Sequence, residues 1–215
     1  MGGILRDPKK APPSRGGVER QVRADARRNL DALLEAAKEA FATSGVDAPA
    51  REIADKAGVG VGTLYRHFPQ RADLIVAVVR NEVDACAEAA SAIAAEFDPG
   101  EALARWVQRY VGLLGTKRGL AAALHSGDPA YKSLPDYFLE RVQPALQALL
   151  DAAALSGEIR ADVDATELLF AIARLCAPDP HDGGPEPARR MAALLVDGLR
   201  YGAQSKPPSP SKKRR

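Results

Sequence analysis

Apolar residues recur with a helical period along most of the chain, beginning near residue 27. The first stripe places five of them on one face of an amphipathic helix: Leu30, Leu33, Leu34, Ala37 and Phe41. The stripe stops at Ser44 and Gly45, and glycine is a common residue just after a helix end. The spacing therefore predicts a first helix from about Arg27 to Ser44.

Two shorter helices are predicted next. Pro49 suits the first turn of a second helix, which ends before Gly58. After a short turn, Gly60 suits the N-cap of a third helix over residues 61–67, whose Leu64 faces inward. Three short helices, the last two joined by a turn that contains glycine, are the layout of a helix-turn-helix.

From residue 71 onward the helical period continues and strand-like alternation is rare. The pattern predicts a long helix over 71–96, ended by Phe97-Asp98-Pro99-Gly100, and then further helices at 101–115, 119–126, about 135–156, 164–177 and 187–202. Pro144 predicts a kink, and Asp164 with Glu167 forms a capping-box pair. The predicted fold is all-α: an N-terminal three-helix helix-turn-helix followed by a domain of about six helices.

The stretch GVGVGTLYRHF, residues 58–68, carries alternating glycines of the kind also found in phosphate-binding loops. A dinucleotide-binding loop needs GxGxxG after a strand, but the third glycine position counted from Gly58 is Thr63, and a helix precedes it. A P-loop needs Gly-Lys-Ser/Thr, which is absent. We therefore interpret these glycines as a helix C-cap, a helix N-cap and a site of close approach.

Charge is concentrated at the two ends of the chain. The net charge is +2, but residues 1–30 carry eight Lys and Arg against three Asp and Glu, and residues 205–215 carry five basic and no acidic residues, so the residues between sum to −8. Basic ends on an acidic body are expected where the ends approach a polyanion, although both ends can instead be solvated tails. We expect residues 1–24 to be a disordered basic arm and 205–215 a disordered basic tail.

Several other functional classes find no support in the sequence. His67, His125 and His181 occur in unrelated contexts, without metal-ligand spacing or a hydrolase motif, so we expect no enzyme, no metal and no cofactor. Cys86 and Cys176 lie far apart and are interpreted as buried structural thiols. Because neither a membrane span nor a secretory signal is found, we expect a cytoplasmic protein.

The segment PAREIADKAGVGVGTLYRHFPQRADL, residues 49–74, resembles the DNA-binding domain of the tetracycline-repressor (TetR) family. The residues that carry the resemblance are in uninterrupted register: Ile53-Ala54, Ala57-Gly58-Val59, Thr63-Leu64-Tyr65, His67-Phe68, Arg71 and Leu74. The resemblance covers roughly residues 25–75. It implies a helix-turn-helix DNA-binding domain over 25–72 and a helical regulatory and dimerisation domain over 73–204.

The function implied by the resemblance is a ligand-responsive transcriptional regulator in the bacterial cytoplasm, associated with the nucleoid. Such a regulator is usually a repressor that binds a pseudo-palindromic operator on double-stranded DNA as a homodimer. A small apolar or aromatic inducer is expected to bind the regulator and release it from DNA. Two alternatives stay open: an activator of the same fold, and a DNA-binding protein without sequence preference.

In this resemblance the third helix is the recognition helix. Methyl groups of Val61 and Thr63 suit contact with thymine, and the missing side chain of Gly62 permits close approach. Tyr65 and His67 suit hydrogen bonds to phosphates. The predicted DNA-binding set is Arg51, Gly60, Val61, Gly62, Thr63, Tyr65, Arg66, His67 and Arg71.

The chain departs from the family pattern in two places. Pro49 and Ala50 stand where many members have hydroxyl residues, and Gly60 replaces a common serine cap. Val61 carries no hydrogen-bonding group, so direct base contacts are expected to be few. Arg51, Thr63 and the basic N-terminal arm, which suits an adjacent minor groove, are expected to contribute more.

The second half of the chain supplies two further sets of residues. Aromatic and apolar side chains predicted to line a ligand cavity are Trp106, Tyr110, Leu114, Leu124, Tyr137, Phe138, Val142, Phe170 and Arg174, although each can instead belong to the core. The last two helices are predicted to pair with a second copy in a four-helix bundle or else to complete the monomer core. The residues for that interface are Leu168, Leu169, Ile172, Leu175, Met191, Leu194, Leu195 and Leu199.

Overall fold

The structure, a computed structural model, describes residues 15–176 and 185–201, with the side chains of these residues except 15–23, 117–119 and 122. The described residues contain helices and no strand, which confirms the all-α prediction. The helices are α1 (Arg15–Ser44), α2 (Ala50–Lys56), α3 (Val61–His67), α4 (Arg71–Glu96), α5 (Pro99–Gly119), α6 (Ala121–Leu124), α7 (Leu134–Leu155), α8 (Ala165–Leu175) and α9 (Glu186–Tyr201). Single 3-10 turns span Gly45–Asp47 and Pro129–Tyr131.

Several predictions fall outside the described residues: most of the basic arm, the basic tail over 205–215 and the loop that contains His181. Among the helices that are described, none is both long and apolar enough to cross a membrane.

Helix α1 begins twelve residues earlier than the apolar pattern predicts. It starts at Arg15, so residues 15–24 are helical and the prediction of a disordered arm is wrong for them. Residues 25–29 are exposed, and the apolar stripe begins only at Leu30. Arg, Glu, Gln and Ala have good helix propensity, but their sequence in this segment carries no apolar stripe, so it leaves no periodic signal.

The turn between α2 and α3 follows from two glycines. Gly58 has a positive φ of 69°, the left-handed region that glycine adopts at little cost. Its N–H donates to the carbonyl of Asp55, and the next N–H, of Val59, donates to that of Ala54. This is a Schellman motif, which ends α2 and turns the chain. Gly60 then occupies the N-cap of α3, as predicted, with no side-chain cap.

The first three helices share one apolar core with the start of α4. Phe41 of α1, Ile53 of α2 and Leu64 of α3 are almost fully buried, and Phe68 closes the end of α3 beneath them. Removing a side chain of this size from such a core costs about 3–5 kcal/mol. This packing fixes the orientation of α3 relative to α1 and α2.

Helix α4 connects the N-terminal domain to the rest of the molecule. It packs against α1, α5 and α7. Its start is held by a capping box, in which the backbone N–H of Gln70 donates to the Asp73 carboxylate at 2.9 Å. Near its middle, Glu82 is only 6% exposed, and its carboxylate lies 3.2 Å from the ammonium group of Lys38 on α1. A buried ion pair therefore joins the two domains.

Helices α5 to α9 form the second domain around α5. The indole N–H of Trp106 donates to the carbonyl of Cys86 at 2.9 Å, and the Tyr110 hydroxyl donates to the carbonyl of Leu169 at 3.2 Å. Burial raises the pKa of the Cys86 thiol to about 12, so this thiol stays protonated at neutral pH. The predicted cap of α8 is confirmed, since the Asp164 carboxylate accepts from the N–H of Glu167 at 2.8 Å.

Candidate DNA-binding surface and ligand cavity

The predicted recognition residues form one exposed surface on α3. Val61 is 42% exposed and Tyr65 53% exposed, which is high for apolar and aromatic side chains on a helix. Arg66 and His67 are exposed beside them, and Thr63 is half-buried. The opposite side of the helix is anchored by the buried Leu64. The arrangement presents methyl, hydroxyl and basic groups outward on a rigid support.

Gly60 and Gly62 belong to the same surface, and nothing inside the protein requires glycine at either position. A Cβ added at either residue meets no atom within 4 Å, and Gly60 has an ordinary φ of −70°. Glycine inside a helix is about 1 kcal/mol less favourable than alanine, so Gly62 weakens α3 without an internal benefit. The open space at both positions is consistent with the close approach of DNA that the sequence predicts.

The two remaining predicted arginines differ in their surroundings. Arg51 is exposed on α2, 4.0 Å from the Asp55 carboxylate. Arg71 is half-buried: its guanidinium donates to the carbonyl of Ala48 and lies 5.7 Å from the centre of the Phe41 ring. The structure thus gives Arg71 an internal role that the prediction lacked, because it ties the start of α4 to the turn before α2.

A cavity of about 440 Å³ lies within the second domain, a volume typical of small-molecule sites. It is bordered by α4, α5, α7, α8 and the connection from α6 to α7 and is partly open to solvent, since His125 and Phe170 of its wall are exposed. Its walls are formed by Val79, Tyr110, Leu114, Leu124, His125, Tyr131, Leu134, Pro135, Phe138, Leu139, Phe170 and Ala173. None of these side chains is acidic, lysine or arginine.

Five predicted ligand-binding residues line this cavity: Tyr110, Leu114, Leu124, Phe138 and Phe170. Trp106 does not, because it is fully buried one layer deeper, stacked on Tyr110 at 5.9 Å. Val142 is likewise a core residue, and Arg174 is exposed elsewhere on α8.

Tyr137 also lies outside the cavity, on another side of α7. Its hydroxyl donates to the Asp84 carboxylate at 2.7 Å, and Arg80 lies over its ring at 4.6 Å. Arg141 pairs with the same carboxylate at 2.7 Å. This network fastens α7 to α4, so Tyr137 positions helices instead of lining the cavity.

Sequence reasoning missed seven lining residues: Val79, His125, Tyr131, Leu134, Pro135, Leu139 and Ala173. Four of them lie in the segment around the start of α7, where Tyr131 and the apolar positions of LPDYFLE are close together. This concentration of apolar and aromatic residues is a sequence signal from which a cavity wall could have been predicted. His125 has no such signal, because a single histidine between two helices has no distinguishing pattern.

The predicted dimer residues divide into two groups. Leu168, Leu169, Ile172 and Leu199 are buried within the protomer, which places them in its core and corrects their assignment to a second copy. Leu195 is half-buried. The exposed members of the predicted set are Leu175, Met191 and Leu194. We call these three the outer face of α8 and α9.

Two family descriptions match the chain in the same order as the domains. Residues 33–78 match the bacterial regulatory proteins of the tetR family. Residues 98–201 match the C-terminal domain of SbtR-like transcriptional regulators. The first match contains α2 and α3, and the second contains most of the cavity wall.

Solved structures and curated proteins agree with these matches. A TetR transcriptional regulator from Streptomyces coelicolor is 40% identical, covering 79% of this chain and 97% of that one, with a TM-score of 0.66. A TetR regulatory protein from Mycobacterium vanbaalenii is 36% identical, covering 83% and 99%, with a TM-score of 0.65. An HTH-type transcriptional regulator of Staphylococcus aureus is 38% identical over 64 residues, which is 29% of this chain and 35% of that protein.

Proposed function

The chain belongs to the TetR family of transcriptional regulators, and we propose that it is a repressor that binds a pseudo-palindromic operator as a homodimer and is released by a small ligand. The proposal extends the family assignment by three steps: sequence-specific binding through α3, pairing through α8 and α9, and control through the cavity. A protein with this task works in the bacterial cytoplasm, at the chromosome.

The observation that carries the proposal is the course of α4. At its first turn, Arg71 and Leu74 hold the helix-turn-helix through Ala48 and the shared core. Two turns later, Val79 of the same helix forms part of the cavity wall. At 1.5 Å per residue these points are only about 12 Å apart along one rigid helix. A ligand that shifts α4 at Val79 therefore moves the base of α3.

Sequence preference is supported by the side chains that α3 exposes. A surface for phosphates alone needs only basic and hydroxyl groups. Here the exposed Val61 and the half-buried Thr63 add methyl groups at the start of the helix, where recognition helices meet base edges. These residues favour an operator-specific protein over one that coats DNA without preference.

Dimerisation is supported by the outer face of α8 and α9. Three large apolar side chains are exposed on these two helices, although a single chain gains nothing by exposing them. A two-fold pairing of this face buries them and places two copies of α3 on one side of the dimer. The separation between the two recognition helices then decides whether both reach adjacent turns of the major groove.

Ligand control of DNA binding depends on the separation between the two recognition helices of the dimer. The protein has one conformation in which the two recognition helices fit the operator and another in which they do not. A ligand releases the protein from DNA if it binds the second conformation more tightly than the first. A difference of about 1–3 kcal/mol in ligand affinity lowers operator affinity by roughly 5- to 150-fold. The cavity is apolar, so the proposed ligand is mainly apolar or aromatic.

The experiment is selection of binding sites from a randomised duplex library by the purified protein, followed by anisotropy at 50 and 200 mM salt. We expect a two-fold symmetric consensus, bound by two subunits and preferred over scrambled DNA by about 10³-fold or more. Equal binding to all duplexes, lost at the higher salt, would favour a protein without sequence preference. Reporter transcription from the selected site separates a repressor from an activator.

A further inference from the structure

Two of the three polar side chains among the lining residues lie on the connection from α6 to α7. They are the exposed His125 and the buried Tyr131, and both carry groups that can hydrogen-bond a ligand. The third polar side chain of the wall, Tyr110, already donates its hydroxyl hydrogen to the carbonyl of Leu169. The opposite wall is aromatic, with the Tyr110 and Phe138 rings stacked at 6.0 Å. A ligand must therefore place its apolar body there and any polar group at the connection.

The ring of His125 is held in one tautomer. Its Nδ1 lies 2.8 Å from the carbonyl oxygen of Ala121. A carbonyl only accepts, so Nδ1 carries the hydrogen and donates. In the neutral ring, Nε2 is then an acceptor without a hydrogen. This atom is suited to a ligand group that donates a hydrogen bond.

Tyr131 brings a hydroxyl to the same connection. The residue as a whole is 9% exposed, and its hydroxyl forms no hydrogen bond to any of the described residues. A ligand group that pairs with this hydroxyl therefore adds a hydrogen bond without breaking one within the described residues. A hydroxyl can both donate and accept, so Tyr131 suits a ligand group of either kind.

The charge at this connection distinguishes between candidate ligand groups. Burial and the negative charge of the nearby Asp128 carboxylate both raise the pKa of Tyr131. A ligand carboxylate here would meet the same negative charge and would lose part of its hydration in a mainly apolar cavity, whose lining side chains among the described residues include no Lys or Arg. A neutral hydroxyl avoids both penalties and can still donate to His125 and pair with Tyr131.

We propose that the cavity recognises a neutral, mainly apolar molecule with a single hydroxyl group, which binds at His125 and Tyr131. This inference rests on the proposed function, because it assumes that the cavity holds the regulatory ligand. The inference extends the proposed function by naming the chemical group that the cavity selects and the two residues that select this group.

The test is calorimetric titration of the full-length protein with three probes of the same shape: biphenyl, 4-phenylphenol and biphenyl-4-carboxylate. We expect 4-phenylphenol to bind about fivefold more tightly than biphenyl, as one added hydrogen bond implies, and the carboxylate to bind most weakly. Tyr131→Phe keeps the ring and should remove most of the preference for the phenol. Tyr201→Phe, the same substitution at a tyrosine that is 93% exposed at the end of α9, is the matched control and should leave all three affinities unchanged.

The outcomes separate this inference from the proposed function. If biphenyl binds as tightly as 4-phenylphenol, or if the carboxylate binds best, the cavity holds ligands but the hydroxyl inference is overturned. If Tyr131→Phe keeps the full preference for the phenol, the assigned residue is wrong. If none of the three probes binds to the unaltered protein, both the inference and the ligand-binding role of the cavity are contradicted.

Discussion

The recognition surface and the cavity are assembled in opposite ways. The surface comes from one short segment, residues 60–67, whose side chains are exposed or half-buried apart from the buried Leu64. The cavity wall comes from α4, α5, α7, α8 and the connection before α7, which are distant in sequence. The proposed DNA-binding surface is therefore encoded locally, whereas the proposed ligand site depends on how the whole second domain packs.

The largest effect on operator affinity is expected when the proposed dimer is split into monomers, each with one recognition surface. Leu194 is 62% exposed on the outer face of α8 and α9, and Leu194→Glu places a charge in the proposed interface. We expect a monomer in sedimentation experiments and operator affinity lower by about 100-fold or more, because bivalent binding is lost. Leu155→Glu is the control, since Leu155 is 92% exposed at the end of α7. A Leu194→Glu dimer with normal affinity would place the interface elsewhere.

A second prediction concerns the ion pair between the two domains. Lys38→Met removes the partner of Glu82, which is then left as a buried carboxylate without its cation. The free energy of unfolding should fall by about 2 kcal/mol, measured by urea denaturation. Lys56→Met, which removes the exposed pair with Glu39, should lower the stability much less, because solvent screens that pair. Equal losses in the two variants would mean that the Glu82 pair has no special role.

The third prediction sets the stability of α3 against its function. Gly62→Ala should raise the melting temperature, because alanine is the better helix former and the added Cβ meets open space. It should also lower operator affinity about tenfold if DNA approaches closely at this point. Gly112→Ala on α5 also meets open space and should leave DNA binding unchanged. A Gly62→Ala variant with full operator affinity would show that DNA does not approach closely there.

The smallest effects are expected from single groups on the surface. Tyr65→Phe should weaken binding to all duplexes by about 1 kcal/mol, or roughly fivefold, as expected for one lost phosphate hydrogen bond. Thr63→Ala should instead change the preferred sequence more than the affinity for random DNA. Anisotropy on specific and scrambled duplexes distinguishes the two. Unchanged affinity in Tyr65→Phe would remove that residue from the contact surface.

The comparison explains which features the sequence could predict. The bounds of α3 and α4 were predicted as 61–67 and 71–96 and are found at those residues, because glycine caps and apolar periodicity are local signals. The start of α1 was missed, since its sequence there carries no apolar stripe.

The cavity was predicted only in part, for a related reason. An aromatic residue in a helix has the same sequence signal whether it lines a cavity, as Phe138 does, or fills the core, as Trp106 does. Only the relative placement of α5, α7 and α8 separates the two cases. The buried pair of Lys38 and Glu82 escaped prediction because its partners are 44 positions apart in the numbering and belong to different domains.

The measurement that tests the central claim most directly is the linkage between the two regions. Operator affinity is measured by anisotropy with and without saturating 4-phenylphenol, and the affinity for 4-phenylphenol is measured with and without bound operator. Coupling through α4 predicts that operator DNA lowers the affinity for 4-phenylphenol by the same factor by which 4-phenylphenol lowers the affinity for operator DNA, between about 5- and 150-fold. If 4-phenylphenol fills the cavity and operator affinity does not change, the cavity does not control DNA binding in the way we propose.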